Sequence, residues 1–492
     1  MRRKKKKIKK SNKEFLVIMY LFLAVFLSMM IYFVYFQVCK SESFINSPYN
    51  SLQDLFSDHV IRGDIVSADG KVLATTKVSA DGTQTRSYPQ GRMFAHAVGY
   101  AVNGKAGLEN QENFSLLRSH EFFLKRIADD ISDKKAQGDT VVTTLDAQIQ
   151  QVAYKSLGNY QGAVIVMEPD TGKIIAMVSK PDYDPNTVKK DWSSLTAEGS
   201  TVLYNRATQG KYAPGSTLKP LTAIAALESG ATTVREKIYD SGKWTYPGYS
   251  ASYTYCWKRS GHGSLNVRGA IMNSCNYFFA EMGYRMGMDT LREYYAKFGL
   301  GSPTGIEIGD TAGRLPSQNE GENLAPWAAF GQANQEYSPL QLANYIATLC
   351  GGGDRYATHL LKNVRSSGSG ALEYVYDAEP AETIAMSSEN LSAVLAGMHD
   401  LATDGAVSQY FKDCIVDAAA KTGTIQTGDT KNNNGAFVCF APYDDPQIAV
   451  AIVIEKGGSG AALASTAVQV LNAYFSNTSA SSAITGENTL LG

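Results

Sequence analysis

Two short runs in this 492-residue chain set a serine three positions ahead of a lysine. In Tyr212-Ala213-Pro214-Gly215-Ser216-Thr217-Leu218-Lys219 the pair follows a Pro-Gly break and leads into the apolar run 223–227. The pattern predicts a helix from Ser216, with the hydroxyl at its first turn beside free N–H groups and the positive end of the dipole. Lys219 then projects from the same face one turn later. If burial removes the lysine's proton, the pair is a nucleophile with its own base. Serine is also a common helix cap, and Ser132-Asp133-Lys134-Lys135 repeats the spacing inside the charged run 129–135, where it reads as solvated surface. Spacing alone does not choose between the two.

Two further elements carry polar chemistry. Ser274 and Asn276 interrupt an apolar stretch, between Ala270-Ile271-Met272 and Tyr277-Phe278-Phe279-Ala280. Buried polar groups need partners, so the two either satisfy each other or line a cavity. The S-x-N spacing itself is weak, because it recurs at Ser264, Ser317 and Ser388. Lys421-Thr422-Gly423 is the chain's one K-[ST]-G, and it stands just ahead of the apolar run 435–440. On a strand edge it offers a cation and a hydroxyl to an anionic ligand, and Gly423 spares a substrate strand a clash with a Cβ. The bland reading of the same residues is a strand-end turn.

The elements that must hold these groups are legible from residue 161 on. Gly162–Met167 and Lys173–Val178 flank the turn 168–172, and 435–440 and 448–454 flank Pro442-Tyr443-Asp444-Asp445-Pro446, giving two hairpins. Helical periodicity fills the middle, at 216–228, 267–285, 289–298, 338–350 and 388–402, with a last helix over 461–475. Strands first and last with helices between predict one antiparallel sheet built from both ends, helices on its faces. Residues 40–160 read as short strands with Asp69-Gly70 as a hairpin turn, and a helical period appears only from Asp146 to Leu157. The Ser/Thr/Ala/Gly-rich end, 477–492, is expected to be disordered.

Nine of the 46 Lys and Arg lie in residues 1–13, which leaves 37 against 47 Asp and Glu. The body is therefore mildly acidic, which argues against nucleic acid. Phe15 to Cys39 is uncharged and long enough to span a bilayer, with no A-x-A cleavage pattern after it. It reads as an uncleaved signal-anchor with the basic end in the cytoplasm and everything from Lys40 outside. The six cysteines show no C-x-x-C and read mostly as buried thiols, one disulfide remaining open. Cys256, His262 and Cys275 are the one set that could gather around a metal, since His262 and Cys275 flank Ser274; no metal or cofactor is assigned.

S-x-x-K, S-x-N and K-T-G in this order are the motif set of penicillin-binding proteins and class A β-lactamases. With Ser216/Lys219, Ser274/Asn276 and Lys421-Thr422-Gly423 in place, the chain resembles a class B penicillin-binding protein. Arg62-Gly63-Asp64-Ile65, Gly172, Asp184-Pro185-Asn186, Gly299-Leu300-Gly301 and Thr304-Gly305-Ile306 also look like family landmarks. It departs at Ser67-Ala68-Asp69-Gly70, at Gly331-Gln332-Ala333 and at Phe437. The resemblance implies an α+β penicillin-binding fold, an antiparallel sheet of about five strands flanked by helices, on a small β-rich pedestal behind one transmembrane helix. The expected divisions are 1–14 cytoplasmic, 15–39 membrane, 40–160 pedestal, 161–476 transpeptidase and 477–492 tail.

The resemblance also implies roles. Ser216 attacks the penultimate D-Ala carbonyl of a peptidoglycan stem peptide and terminal D-Ala leaves. Lys219 is the general base, kept neutral by burial and by Lys421. Ser274 relays a proton to the leaving amine, and Asn276 holds the substrate amide. Lys421, Thr422 and Thr424 bind the terminal carboxylate, with the N–H groups of Ser216 and Thr424 as oxyanion hole. A second stem peptide resolves the acyl-enzyme, and β-lactams acylate Ser216 and stay. Residues 40–160 are too few for a glycosyltransferase domain, so a separate SEDS-type glycosyltransferase in the membrane is the expected partner. No E-x-x-L-N deacylating element is present, which sets a β-lactamase aside. A membrane-bound β-lactam sensor and a catalytically silent scaffold are the remaining alternatives.

Overall fold

The computed structural model describes residues 2–40, 60–120, 135–248, 252–317, 324–425 and 433–488. Ser132 to Lys134 of the second S-x-x-K lie outside them. The first helix runs Arg2–Cys39, and its apolar part, Phe15–Gln37, turns its side chains outward with none of them buried. Such a surface is costly in water and favourable in hydrocarbon.

The central sheet has the order Ala419–Ile425, Asn434–Ala441, Ile448–Ile454, Gly162–Met167, Ile174–Lys180, every neighbouring pair antiparallel. Both expected hairpins are present, and they join where Ile448–Ile454 pairs with Gly162–Met167. Side chains alternate across the sheet. Ile165, Met177, Val438 and Phe440 enter one core, while Val164, Val166, Phe437 and Cys439 enter the other. The wholly buried helix Pro339–Cys350 packs on the first face. Ala147–Ser156, capped by Asp146, and the C-terminal helix Ala464–Asn488 cover the second. That last helix continues through most of the stretch expected to be disordered; no glycine or proline interrupts it before Gly486.

Below lies a six-stranded sheet. Its strands Ile65–Val66, Val72–Val78, Gln84–Ser87 and Thr140–Thr143 come from the N-terminal region, and Gly70 makes the expected turn at φ +79°. Two more, Leu361–Arg365 and Leu372–Val375, return from far downstream to pair with Thr140–Thr143 and with each other. The lower unit is thus drawn from two separate parts of the chain. Its charged core is Glu109, which accepts from Arg62 Nε at 2.7 Å and from Arg86 Nε at 2.7 Å. Burial works against the carboxylate, but the two guanidiniums outweigh it and hold Glu109 below the usual range. Glu109→Ala strands two buried cations and is expected to lower stability by about 3–5 kcal/mol in urea unfolding. An unchanged midpoint would show the network to be dispensable.

Candidate active site

The turn that carries Ser216 is tighter than the sequence predicts. Gly215–Leu218 is a 3-10 turn, and the α-helix Lys219–Glu228 begins only at the lysine. Gly215 sits at φ +55°, a region in which a Cβ would be strained. Its N–H donates to Gly331 O at 3.1 Å, and a Cβ on Gly331 would lie 2.1 Å from Gly215 O. The Gly331-Gln332-Ala333 segment therefore lies directly beneath Ser216's turn. Tyr345 adds its hydroxyl to Thr217 O, and Thr222 is bonded to Tyr295 Oη at 2.8 Å and to Ala329 O at 2.7 Å. Sequence reasoning passed over these braces, because a buried tyrosine or threonine reads as core.

Ser274 breaks the helix expected over 267–285. Val267–Met272 ends before it, Asn276–Lys297 starts after it, and Ser274 itself lies at φ +50°. For a non-glycine residue that conformation costs about 1–3 kcal/mol. It presents the Ser274 hydroxyl to two amines. Lys219 Nζ donates to Ser274 Oγ at 3.2 Å, to Ser274 O at 2.7 Å and to Asn276 Oδ1 at 2.7 Å. Lys421 Nζ, from the Ala419–Ile425 strand, donates to Ser274 Oγ at 3.0 Å. Both lysines are fully buried. Burial pushes Lys219 down to about 8, and pushes Lys421 well below its ordinary value with Lys219's charge as the second cause. Two ammonium groups on one hydroxyl repel, so the empty site favours no more than one charge.

Ser216 is half-buried at the mouth of this cluster, and its hydroxyl has no hydrogen bond among the described residues. The strand Ala419–Ile425 lies across the turn. A Cβ on Gly423 would come within 3.0 Å of Thr217 Cγ2 and 3.2 Å of Pro214 O. The glycine is needed first for Ser216's own turn, where the sequence suggested an approaching substrate. Thr422 is half-buried, and Thr424 is exposed with its carbonyl accepting from Gln332 Nε2 at 3.3 Å. The structure thus joins Lys219, Ser274, Asn276 and Lys421 in one hydrogen-bonded cluster, with Ser216's turn packed against Gly423 between Thr422 and Thr424.

Next to it, Cys256, His262 and Cys275 come together, joined by Asp240, with all four donor atoms within 4.8 Å of one another. Asp240 ends the strand Ile238–Asp240, which pairs with Gly263–Leu265; Cys256 follows Tyr253–Tyr255; Cys275 caps the Asn276–Lys297 helix, its sulfur accepting from Phe278 N–H at 3.4 Å. The Sγ atoms are 3.9 Å apart, Cys256 Sγ to His262 Nδ1 is 3.4 Å, and Cys275 Sγ to Asp240 Oδ2 is 3.2 Å. Zinc with two sulfur, one nitrogen and one oxygen ligand has tetrahedral edges of roughly 3.3–3.8 Å. The hydrogen bond between the two sulfurs, its main cause, pulls Cys256 below the ordinary thiol range. The donor types fit a four-coordinate zinc-type ion; His262 Nδ1 and Asp240 Oδ2, hydrogen-bonded to each other at 2.7 Å, would move apart to share it. Asp240 had no sequence signal, being one acid among many.

The penicillin binding protein transpeptidase domain model matches residues 162–475, and the penicillin binding protein A dimerisation domain model matches 62–141. Peptidoglycan D,D-transpeptidase MrdA of Escherichia coli K12 is 30% identical over 465 residues, covering 80% of this chain and 72% of that protein. Peptidoglycan D,D-transpeptidase PbpA of Mycolicibacterium smegmatis is 30% identical over 428 residues, covering 81% and 84%. Penicillin-binding protein A of M. tuberculosis, solved as an imipenem acyl-enzyme, superposes with a TM-score of 0.77 at 27% identity, over 86% of this chain and 100% of that one.

Proposed function

The chain belongs to the class B penicillin-binding proteins, the serine D,D-transpeptidases of peptidoglycan, and from that premise we propose how its residues divide the reaction. Ser216 is the nucleophile toward the penultimate D-Ala carbonyl of a stem peptide. Neutral Lys219 takes its proton, and D-Ala leaves with a proton delivered through Ser274. The carboxylate of the departing residue lies along Lys421, Thr422 and Thr424, and Asn276 holds the peptide amide. The N–H groups of Ser216 and Thr424 take the oxyanion. The observation that carries this division is the Ser274 hydroxyl shared by two buried amines. One hydroxyl between two amines of depressed pKa can pass a proton in either direction, as acylation and acyl transfer require. Incubation of the full-length protein with fluorescent penicillin, read on a denaturing gel, tests the reading, and an unlabelled protein overturns it.

The exposed apolar helix makes the protein membrane-anchored, and the nine cations before it support a cytoplasmic N-terminus with the catalytic unit outside. The pedestal comprises most of 40–160 with the returning strands 361–375, and the transpeptidase unit takes up 161–476 apart from those strands. Neither region holds space for a glycosyltransferase, which supports a SEDS-type glycosyltransferase as membrane partner.

Asp240, Cys256, His262 and Cys275 would hold a zinc-type ion with no open position, so it would cross-link the loops behind Ser274 and Asn276 and leave the chemistry to the side chains. Elemental analysis of protein purified without chelator is expected to find zinc, lost in Cys275→Ser. Chelation then lowers the thermal midpoint, removing about 4 kcal/mol if free zinc stands a thousandfold above its Kd. Metal-free protein with an unshifted melt would remove the ion from this account.

A further inference from the structure

The strands Lys243–Thr245 and Tyr253–Tyr255 pair so that Lys243 faces Tyr255 and Thr245 faces Tyr253. Alternate residues of a strand point to opposite faces, about 7 Å apart along each face. On the inner face lie Trp244, which is buried and bonded to Glu281, and Cys256 of the tetrad. The outer face carries Tyr253 and Tyr255, set edge to face, and Trp257 follows just past the strand with its ring against His262; all three are exposed, Trp257 by 64%. Lys243 Nζ stands 3.9 Å over the Tyr253 ring and Arg259 Cζ 3.9 Å over the Tyr255 ring. Residues 241–262 include Lys243, Lys258 and Arg259 and no Asp or Glu. This row runs into the active site. Tyr255 O accepts from Asn276 Nδ2 at 3.3 Å, and Trp257 Nε1 donates to Asn273 O at 2.9 Å.

Three exposed rings on one short stretch, with Lys243 and Arg259 beside two of them, suit a ligand with flat C–H faces and carboxylates. Resting on the transpeptidase reading, we infer that this face binds the glycan strand of peptidoglycan. Its sugar rings stack on Tyr253, Tyr255 and Trp257, the lactyl carboxylates of its peptide-free sugars meet Lys243 and Arg259, and a stem peptide carried on a neighbouring sugar is led toward Asn276 and Ser216. Net positive charge and continuity with Asn276 select this occupant over another protein.

The test is co-sedimentation of the full-length protein in detergent with purified sacculi, with acylation by fluorescent penicillin measured in parallel. A Tyr253→Ser/Arg259→Glu variant is expected to bind sacculi about tenfold more weakly, the order expected for losing one aromatic contact and reversing one charge. Its acylation is unchanged. Tyr253→Phe, which keeps the ring, binds as the native protein does. Peptide-free glycan strands compete, and free stem peptide does not. The inference is overturned if the double variant binds like the native protein, if Tyr253→Phe loses as much as the double variant, or if only free peptide competes. Should the double variant lose its cooperative melt, Lys243→Glu alone gives the same readout, and native binding by it is equally fatal. Failure of the native protein to be acylated would instead strike the transpeptidase reading itself.

Discussion

A Ser216→Ala protein is expected to take no label from fluorescent penicillin and to cross-link no stem peptides, a loss of at least about 10³-fold. No neighbouring hydroxyl can replace it. Thr217 is fully buried and donates to Pro214 O at 2.6 Å, so it is committed to shaping the turn. Ser274 is the stronger rival, since its hydroxyl already sits between two amines. Its position, however, is between the helices behind the turn, where its bonds to both lysines suit a relay. A parallel Ser274→Ala protein separates the roles: slowed labelling at an intact Ser216 is expected, and complete loss in Ser274→Ala with normal labelling of Ser216→Ala would exchange the nucleophile. Stability does not confuse the comparison. Ser216 is half-buried with no hydrogen bond among the described residues, so its truncation is expected to change unfolding free energy by less than about 0.5 kcal/mol.

What the sequence could disclose follows from how local each cause is. The Gly162–Met167 and Ile448–Ile454 strands are continuous apolar runs bounded by turn residues, and burial on both faces is what such runs demand, so the central sheet was legible at once. The three motif elements were legible because each unites its chemistry within a few residues. Three features were not. Ser274's positive φ is held by its own N–H bond to Ile271 O, by that of Cys275 to Ala270 O and by the lysines it serves, while its sequence continues a helical period. The strand Leu372–Val375 is exposed along its whole length and gains its place only by pairing that ends at residues 140–143, more than two hundred positions earlier. Asp240 joins Cys256 and Cys275 through the pairing of Ile238–Asp240 with Gly263–Leu265, a register that no spacing rule contains. In each case a long-range contact overrides or supplies what the local pattern lacks.

Acylation of Ser216 by a β-lactam is expected to rise with pH and level off above about 8, because Lys219 accepts a proton only when neutral. The sign follows from the charge type. Burial lowers this amine's pKa, so protonation returns as pH falls and removes the base, at about tenfold per unit below the inflection. Lys421 sets where the inflection falls. In the empty site burial and Lys219's charge together drive Lys421 toward neutrality. A ligand carboxylate arriving at Lys421 favours its ammonium, and that restored charge, sharing Ser274 Oγ with Lys219, pushes Lys219 further toward the neutral base. Substrate binding thereby arms the base, and an empty site keeps it partly protonated. Two measurements follow. A carboxylate-bearing β-lactam should show its inflection below that of an acylating agent without the carboxylate. In Lys421→Met the difference should vanish and the inflection should move upward, alongside slower acylation at every pH. A rate flat from about pH 6 to about 9 would remove Lys219 from the role of base. An inflection that survives in Lys219→Met would assign it to another group.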